Sequence, residues 1–125
     1  MKTSSDPRHL KRQEALKVIF AWDFQNKTQK NPKVTNDLAL SVIDNVTIID
    51  KLIVSAAPAW PIDQISKVDL AILRLGIYEL TIEKKEPIKV IIDEAVELAK
   101  EFGHESSKSF INGVLGKLVK NDRPI

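Results

Sequence analysis

The segment from Ile65 to Leu80, Ile-Ser-Lys-Val-Asp-Leu-Ala-Ile-Leu-Arg-Leu-Gly-Ile-Tyr-Glu-Leu, constrains the fold more than any other part of the chain. Apolar residues stand at positions 68, 70, 71, 72, 73, 75, 77, 78 and 80. They cover nearly the whole circumference of a helix. A helix that is apolar all round is buried inside a core instead of lying on one. The segment is too short, and too interrupted by Asp69, Arg74 and Glu79, to span a membrane. Ser66 followed by Asp69 reads as a capping box, in which side-chain oxygens take backbone donors that the first turn leaves unpaired. The expectation is an all-α fold with this segment as its central helix and amphipathic segments packed around it.

The flanking segments fit that plan. Asp6-Pro7 opens a first helix, since Asp is a good N-cap and Pro suits the first helical position. The helix is predicted to run to about Asn26, with Ala15, Val18, Ile19 and Trp22 as its apolar stripe and Leu16 and Phe20 on one shoulder. Arg8, Lys11 and Arg12 share a face at i, i+3 and i+4. Cations at a helix start oppose the helix dipole, at a local cost of roughly 0.3–1 kcal/mol each. They are either a solvated basic end or a functional one. A polar connector, Asn26 to Lys33, follows. Thr35 or Asn36 can cap a second helix, predicted to run unbroken to about Ala57 through Leu38, Val42, Val46, Ile49, Ile53 and Ala56. Ala57-Pro-Ala-Trp-Pro61 breaks it, and Trp60 reads as an aromatic plug in the core.

After the central helix, Thr81 to Glu86 reads as a charged loop. Pro87 starts a helix whose apolar face is Ile88, Ile91, Ile92, Ala95, Leu98, Ala99 and Phe102, with Asp93, Glu94, Glu97 and Glu101 largely outside that stripe on a solvated face. Gly103 fits a left-handed C-cap. Ser106 or Ser107 can cap the last helix, built on Phe110, Val114 and Leu118, with a frayed tail from Asn121. Gly113, mid-helix at a cost of about 1 kcal/mol against Ala, is read as permitting a close helix crossing. No strand pattern, repeat or low-complexity segment is present.

Chemistry is scarce. The 125 residues suffice for one domain with a real core. There is no cysteine, so thiolate nucleophiles, thiolate metal sites and disulfides are excluded and a reducing cytosol fits. The N-terminus has no apolar run of a secretory signal. His9 and His104 lie far apart in polar stretches, and no metal, phosphate-loop or dinucleotide motif occurs. Asp93 and Glu94 diverge on a helix and form no catalytic pair. Arg74 is unusual in so apolar a helix: it is either an ion-paired or snorkelling arginine or a functional cation at the edge of the bundle. Residues 1–33 hold eight basic and three acidic residues, a balance of +5, within a chain of net +2. A basic end on an acidic body suggests one surface for an anion such as nucleic acid and another for a basic protein. The reading is a binding protein without cofactor or metal.

Several stretches together resemble the NusB transcription antitermination family. Ala57-Pro-Ala-Trp-Pro-Ile-Asp-Gln-Ile-Ser-Lys-Val-Asp-Leu-Ala-Ile-Leu-Arg-Leu-Gly-Ile-Tyr-Glu-Leu looks like its central signature, and Pro87 to Gly103 resembles the helix that follows. Ser109-Phe-Ile-Asn-Gly-Val-Leu-Gly-Lys resembles its closing motif, and Arg8 to Asp23 its arginine-rich first helix. The resemblance covers most of the chain, in order. It implies an all-helical fold of two small bundles around the buried central helix. It also implies a non-enzymatic, cytoplasmic factor that binds boxA-type single-stranded RNA of ribosomal RNA operon leaders. The implied partners are NusE, a small-subunit ribosomal protein, and the RNA polymerase antitermination complex, with no membrane involved.

By the same resemblance Arg8, Lys11 and Arg12 would hold phosphates. Phe20 matches an aromatic position near the RNA, with core packing as its other reading. Ser106, Lys108 and Phe110 match a segment that contributes to RNA contact, where Phe110 could stack on an unpaired base or belong to the core. Arg74, as the cation at the bundle edge, joins this RNA-binding set. Asp69 matches an acidic position on the partner-protein face and could serve both as cap and as contact. The chain departs from the pattern at His9-Leu10 and Lys11, where arginines are more usual, at Ser109, where a basic residue often stands, and in a short connector after the first helix. The alternative reading is a helical protein-interaction module that binds a basic partner without specific RNA. An appendage of an RNA methyltransferase and a DNA-binding helix-turn-helix fit less well.

Overall fold

The computed structural model describes residues 6–25 and 36–122, with no strand among them. Six α-helices follow in order: α1 Pro7–Asp23, α2 Asp37–Asp44, α3 Val46–Ala56, α4 Lys67–Tyr78, α5 Ile88–Phe102 and α6 Ser107–Asp122. The connector 26–33, Thr35 and the tail beyond residue 122 lie outside the described residues.

Helix α4 is the predicted central helix. It packs against each of the other five, with α1, α2 and α3 as one small bundle and α5 and α6 completing the other. Every residue from Asp69 to Ile77 on it is buried. The apolar circumference explains this: wherever a neighbour approaches, it meets Leu70, Ile72, Leu73, Leu75 or Ile77, all 1% exposed or less. Gly76 supplies the closest approach. A Cβ there would stand 3.2 Å from Leu115 Cδ1 of α6 and 3.7 Å from Ala95 Cβ of α5. This corrects the expectation for Gly113, where a Cβ would meet nothing within 4 Å.

The caps follow the local chemistry. Asp6 Oδ1 accepts from the Arg8 amide at 2.9 Å, and Asn36 Oδ1 from the Ala39 amide at 2.8 Å. Ser66 Oγ accepts from the Asp69 amide at 3.2 Å. The reciprocal half of the predicted box is not formed, because Asp69 Oδ1 is buried without a hydrogen-bond partner.

Four local expectations are corrected. The single helix predicted from 36 to 57 is two, broken at Asn45. There the backbone leaves helical geometry (φ −107°, ψ 12°) and the side-chain amide donates to the Ser41 carbonyl at 2.8 Å, the competition with the helix that makes asparagine a breaker. Trp60 is no core plug: it is 52% exposed and meets Phe110 edge-on, with ring centroids 6.1 Å apart. The segment after α4 is not a plain loop. Glu79–Glu83 form a π-helical turn, closed by Lys84 in the left-handed region (φ 55°) with its amide donating to the Glu79 carbonyl at 2.9 Å. Gly103 is extended (φ −94°, ψ −169°) instead of left-handed. It is required for space, since a Cβ would lie 2.6 Å from Ser107 Oγ at the corner between α5 and α6.

Candidate nucleic-acid interface

The N-terminal half of α1 carries the cations expected to meet phosphate, and the fold divides them sharply. Arg8 keeps 71% of its side chain exposed and touches Glu86 at 3.4 Å. Lys11 is exposed as well. Arg12 is 4% exposed. Its Nε and Nη2 donate to the two oxygens of Glu79 at 2.9 and 2.6 Å, Nη2 also donates to Glu86, and Nη1 lies 3.3 Å from Glu94. Burial works against its charge, yet the hydrogen bonds to Glu79 and the surrounding carboxylates outweigh it and strengthen the hold on the proton. On Glu79 burial pushes the carboxyl above its usual range and Arg12 opposes that. The expected phosphate-holding role therefore does not fit Arg12, whose donors are already engaged. Glu79 directly follows α4 and keeps its helical backbone (φ −65°, ψ −38°) as the first residue of the π-turn.

Next to Arg12, His9 is 2% exposed, buried among charged groups. Its Nδ1 lies 2.9 Å from Glu94 and its Nε2 2.9 Å from Glu101. Glu94, expected on the solvated face of α5, is 2% exposed. The cationic start of α1 is thus matched by acids of the π-turn, the following loop and α5. Their attraction offsets the unfavourable dipole noted above.

Arg74 is also resolved against a surface role. It is 1% exposed. Its guanidinium makes two 2.9 Å hydrogen bonds to Asp50, lies 3.3 Å from Asp23 and sits 5.6 Å from the centre of the Trp22 ring. Burial again opposes the charge, and Asp50 and Asp23 more than restore it. Of the two readings open in the sequence, the ion-paired one holds.

A second region gathers three of the predicted residues. Ser106, Phe110 and Asp69 line one cleft of about 520 Å³ together with Trp60, Gln64, Ser66, His104 and Ser109. Phe110 is half-buried and Ser106 exposed. Asp69 is buried at the floor rather than presented on a face, which leaves little of it for a partner protein to touch. Lys108 is exposed. Phe20 is half-buried, stacks edge-on with Phe24 at 4.9 Å and lines a smaller apolar cleft of about 130 Å³ with Leu16, Val68 and Phe102. The role of Trp60 as the wall facing Phe110 was missed. So was Lys85, which lines a charged cleft with Arg8, Lys11 and Glu83. For Trp60 no sequence signal decided the matter: Pro58 and Pro61 break the helix there but do not set whether the ring is covered.

Such an arrangement has exposed cations, an aromatic-walled cleft and, among the described residues, no cluster of His, Asp and Glu able to hold a metal ion. It defines an all-helical binding protein of two packed bundles. The model of the NusB family matches residues 9–120, and the chain belongs to that family. The transcription antitermination protein NusB of Roseiflexus castenholzii is 35% identical, over 93% of this chain and 94% of its own. That of Acetivibrio thermocellus is 40% identical, over 90% and 88%. Among solved structures, T. maritima NusB superposes with a TM-score of 0.79 at 33% identity, covering 97% of this chain and 94% of that one. A structure of antitermination factors NusB and NusE in complex with double-stranded RNA gives 0.74 at 26% identity, covering 92% and 98%. The family is one of antitermination factors, not enzymes, and no helix among the described residues is long and apolar enough to cross a membrane.

Proposed function

We propose that this chain is a cytoplasmic transcription antitermination factor that acts as one RNA-binding unit. It binds boxA-type single-stranded RNA of ribosomal RNA operon leaders together with NusE, within the RNA polymerase antitermination complex. The observation that carries this is the likeness, over nearly the whole chain, to a NusB held with NusE and RNA. Arg8, Lys11 and Lys108 meet phosphates, and neutralising them releases counterions. Phe110 and Trp60 offer π-faces to an unpaired base at the cleft that Ser106 borders. Phe20 is a further aromatic of this set, half-buried in the separate apolar cleft it lines with Leu16 and Val68. Arg12 and Arg74 act from within, by holding α1 in place. Asp69 bears on the partner through the shape of the cleft floor.

The test is a titration of a fluorescent boxA-like RNA and a scrambled control, with and without NusE, at two salt concentrations. Tighter binding of the boxA-like RNA, strengthened by NusE, is the expected result. Equal, weak and salt-sensitive binding of both RNAs would leave only a generic basic patch. A protein-interaction module would then be the better description.

A further inference from the structure

Both ring nitrogens of His9 face carboxylates, Nδ1 toward Glu94 Oε1 at 2.9 Å and Nε2 toward Glu101 Oε1 at 2.9 Å. A carboxylate only accepts, and a neutral imidazole carries a single N–H. Both contacts are therefore hydrogen bonds only when the ring is an imidazolium. We propose that His9 is a positioning residue for RNA: as an imidazolium it straps the start of α1 to α5, and losing its proton loosens that strap and weakens phosphate binding by Arg8 and Lys11. The proposal rests on the RNA-binding reading above.

The charged groups facing the ring come from two elements and the cap before α1. Asp6 at the cap interacts with the ring's charge. On α1 itself, Arg12 Nη1 stands 3.3 Å from the same Glu94 oxygen, and through Arg12 the cluster extends to Glu79 and Glu86. On α5 stand Glu94 and Glu101. Burial disfavours the imidazolium, but the hydrogen bonds to the two carboxylates outweigh it and the ring's pKa is raised above 6.5. The sign follows. A raised native pKa makes a contribution that is fully present below the unfolded value and is lost as pH rises through the native one.

The loss falls on one side. Glu94 has 3% of its side chain exposed and retains Arg12 when the ring is neutral. Glu101 has 29% exposed and retains the Gln13 amide, at 3.2 Å. A neutral ring keeps its N–H for Glu94, because a hydrogen bond to a carboxylate with 3% of its side chain exposed is costlier to lose than one to Glu101, which water can reach. The lone pair on Nε2 then faces the Glu101 carboxylate, which turns to water. The strap opens at the last turn of α5, next to the segment of α1 that displays Arg8 and Lys11.

The test uses the full chain and a boxA-like RNA at fixed ionic strength from about pH 6, near the ordinary histidine value, up to about pH 9.5, so that a titration raised above that value falls inside the range. Wild type should weaken by about fivefold across the range, at the low end of ordinary coupling between sites. His9→Arg carries a permanent charge and should hold its affinity constant. Glu101→Gln has no carboxylate to release and should show a shallower profile. If His9→Arg does not fold, Glu101→Gln decides. NMR of the His9 ring should place its titration above the ordinary histidine value. RNA binding with parallel profiles in wild type and Glu101→Gln, or a ring that titrates at or below the ordinary value, overturns the proposal alone. No RNA binding by any of the three proteins at any pH overturns the RNA-binding reading and the proposal with it.

Discussion

Arg74 and Asp50 are joined by two parallel hydrogen bonds of 2.9 Å, Nε to Oδ1 and Nη2 to Oδ2. The bond ties α4 to α3, and the same guanidinium reaches Asp23 at the end of α1 at 3.3 Å. One cation thus holds three helices. Asp23 sits at a helix C-terminus, where the dipole disfavours an acid, and Arg74 and Lys67 offset that cost. Removing the arginine would take both of these hydrogen bonds from Asp50 and one of its cations from the almost wholly buried Asp23. Arg74→Ala should therefore lose about 3–5 kcal/mol of stability, the range for breaking a buried ion pair. Arg74→Lys keeps the charge but not the planar fork and should fall between. Urea unfolding measures this. A loss under about 1 kcal/mol in the alanine variant would show that the three helices do not depend on the cluster.

Neighbouring cations of α1 should behave oppositely. Lys11 is exposed, so Lys11→Ala should leave stability within about 0.5 kcal/mol and lower the salt slope of RNA binding by about 1. Arg12→Ala should instead cost about 3–5 kcal/mol of stability, because it strips Glu79 and Glu94 of a buried partner. Urea melts and salt-dependent RNA titrations on the same two variants separate the cases. A reversed pattern would mean that Arg12 leaves its carboxylates to meet RNA.

Arg12 and Lys11 also mark what a sequence can and cannot display. Helix α4 was legible because apolar residues on every side admit only a buried helix. The capping residues Asp6, Asn36 and Ser66 were legible because a cap acts within three residues. The break at Asn45 was hidden, since Val42, Val46, Ile49 and Ile53 keep helical spacing across it. The partners of Arg12 and His9 were hidden for another reason. Glu79 lies 67 residues from Arg12 and Glu94 lies 85 from His9. Burial of a charge is decided by such distant partners, and three positively charged positions on one helix face look alike until the acids opposite them are known. For that reason the two exposed members of the set, Arg8 and Lys11, could not be told from the buried one, Arg12.

Two glycines give a stability contrast that depends on space alone. Nothing lies within 4 Å of a Cβ at Gly113, so Gly113→Ala should stabilise α6 by up to about 1 kcal/mol through helix propensity. At Gly76 the added methyl would press on Leu115, itself fully buried. Overpacking there costs about 1–3 kcal/mol and cancels or exceeds the same propensity gain. Melting temperatures of the two variants should move apart, with Gly113→Ala above wild type and Gly76→Ala at or below it. Equal increases would mean that Leu115 gives way freely and that the α4–α6 crossing is looser than the 3.2 Å approach implies.

The aromatic cleft separates stacking from charge. Phe110 is half-buried and Trp60 52% exposed, their rings edge-on at 6.1 Å. Stacking of a base on an aromatic face contributes about 1–3 kcal/mol by alanine substitution. It neutralises no phosphate, so it releases no counterions. Trp60→Ala should therefore weaken RNA binding by an amount in that range while the salt slope stays that of wild type. The exposure of Trp60 makes it the cleaner probe, because Phe110 also packs against the core. Phe110→Leu keeps most of that apolar packing without a π-face and should lose affinity with a smaller change in stability than Phe110→Ala. Titration of the boxA-like RNA at two salt concentrations reads both quantities. A loss confined to low salt would assign the cleft to electrostatics, and unchanged affinity in both Trp60→Ala and Phe110→Leu would remove it from the RNA surface altogether.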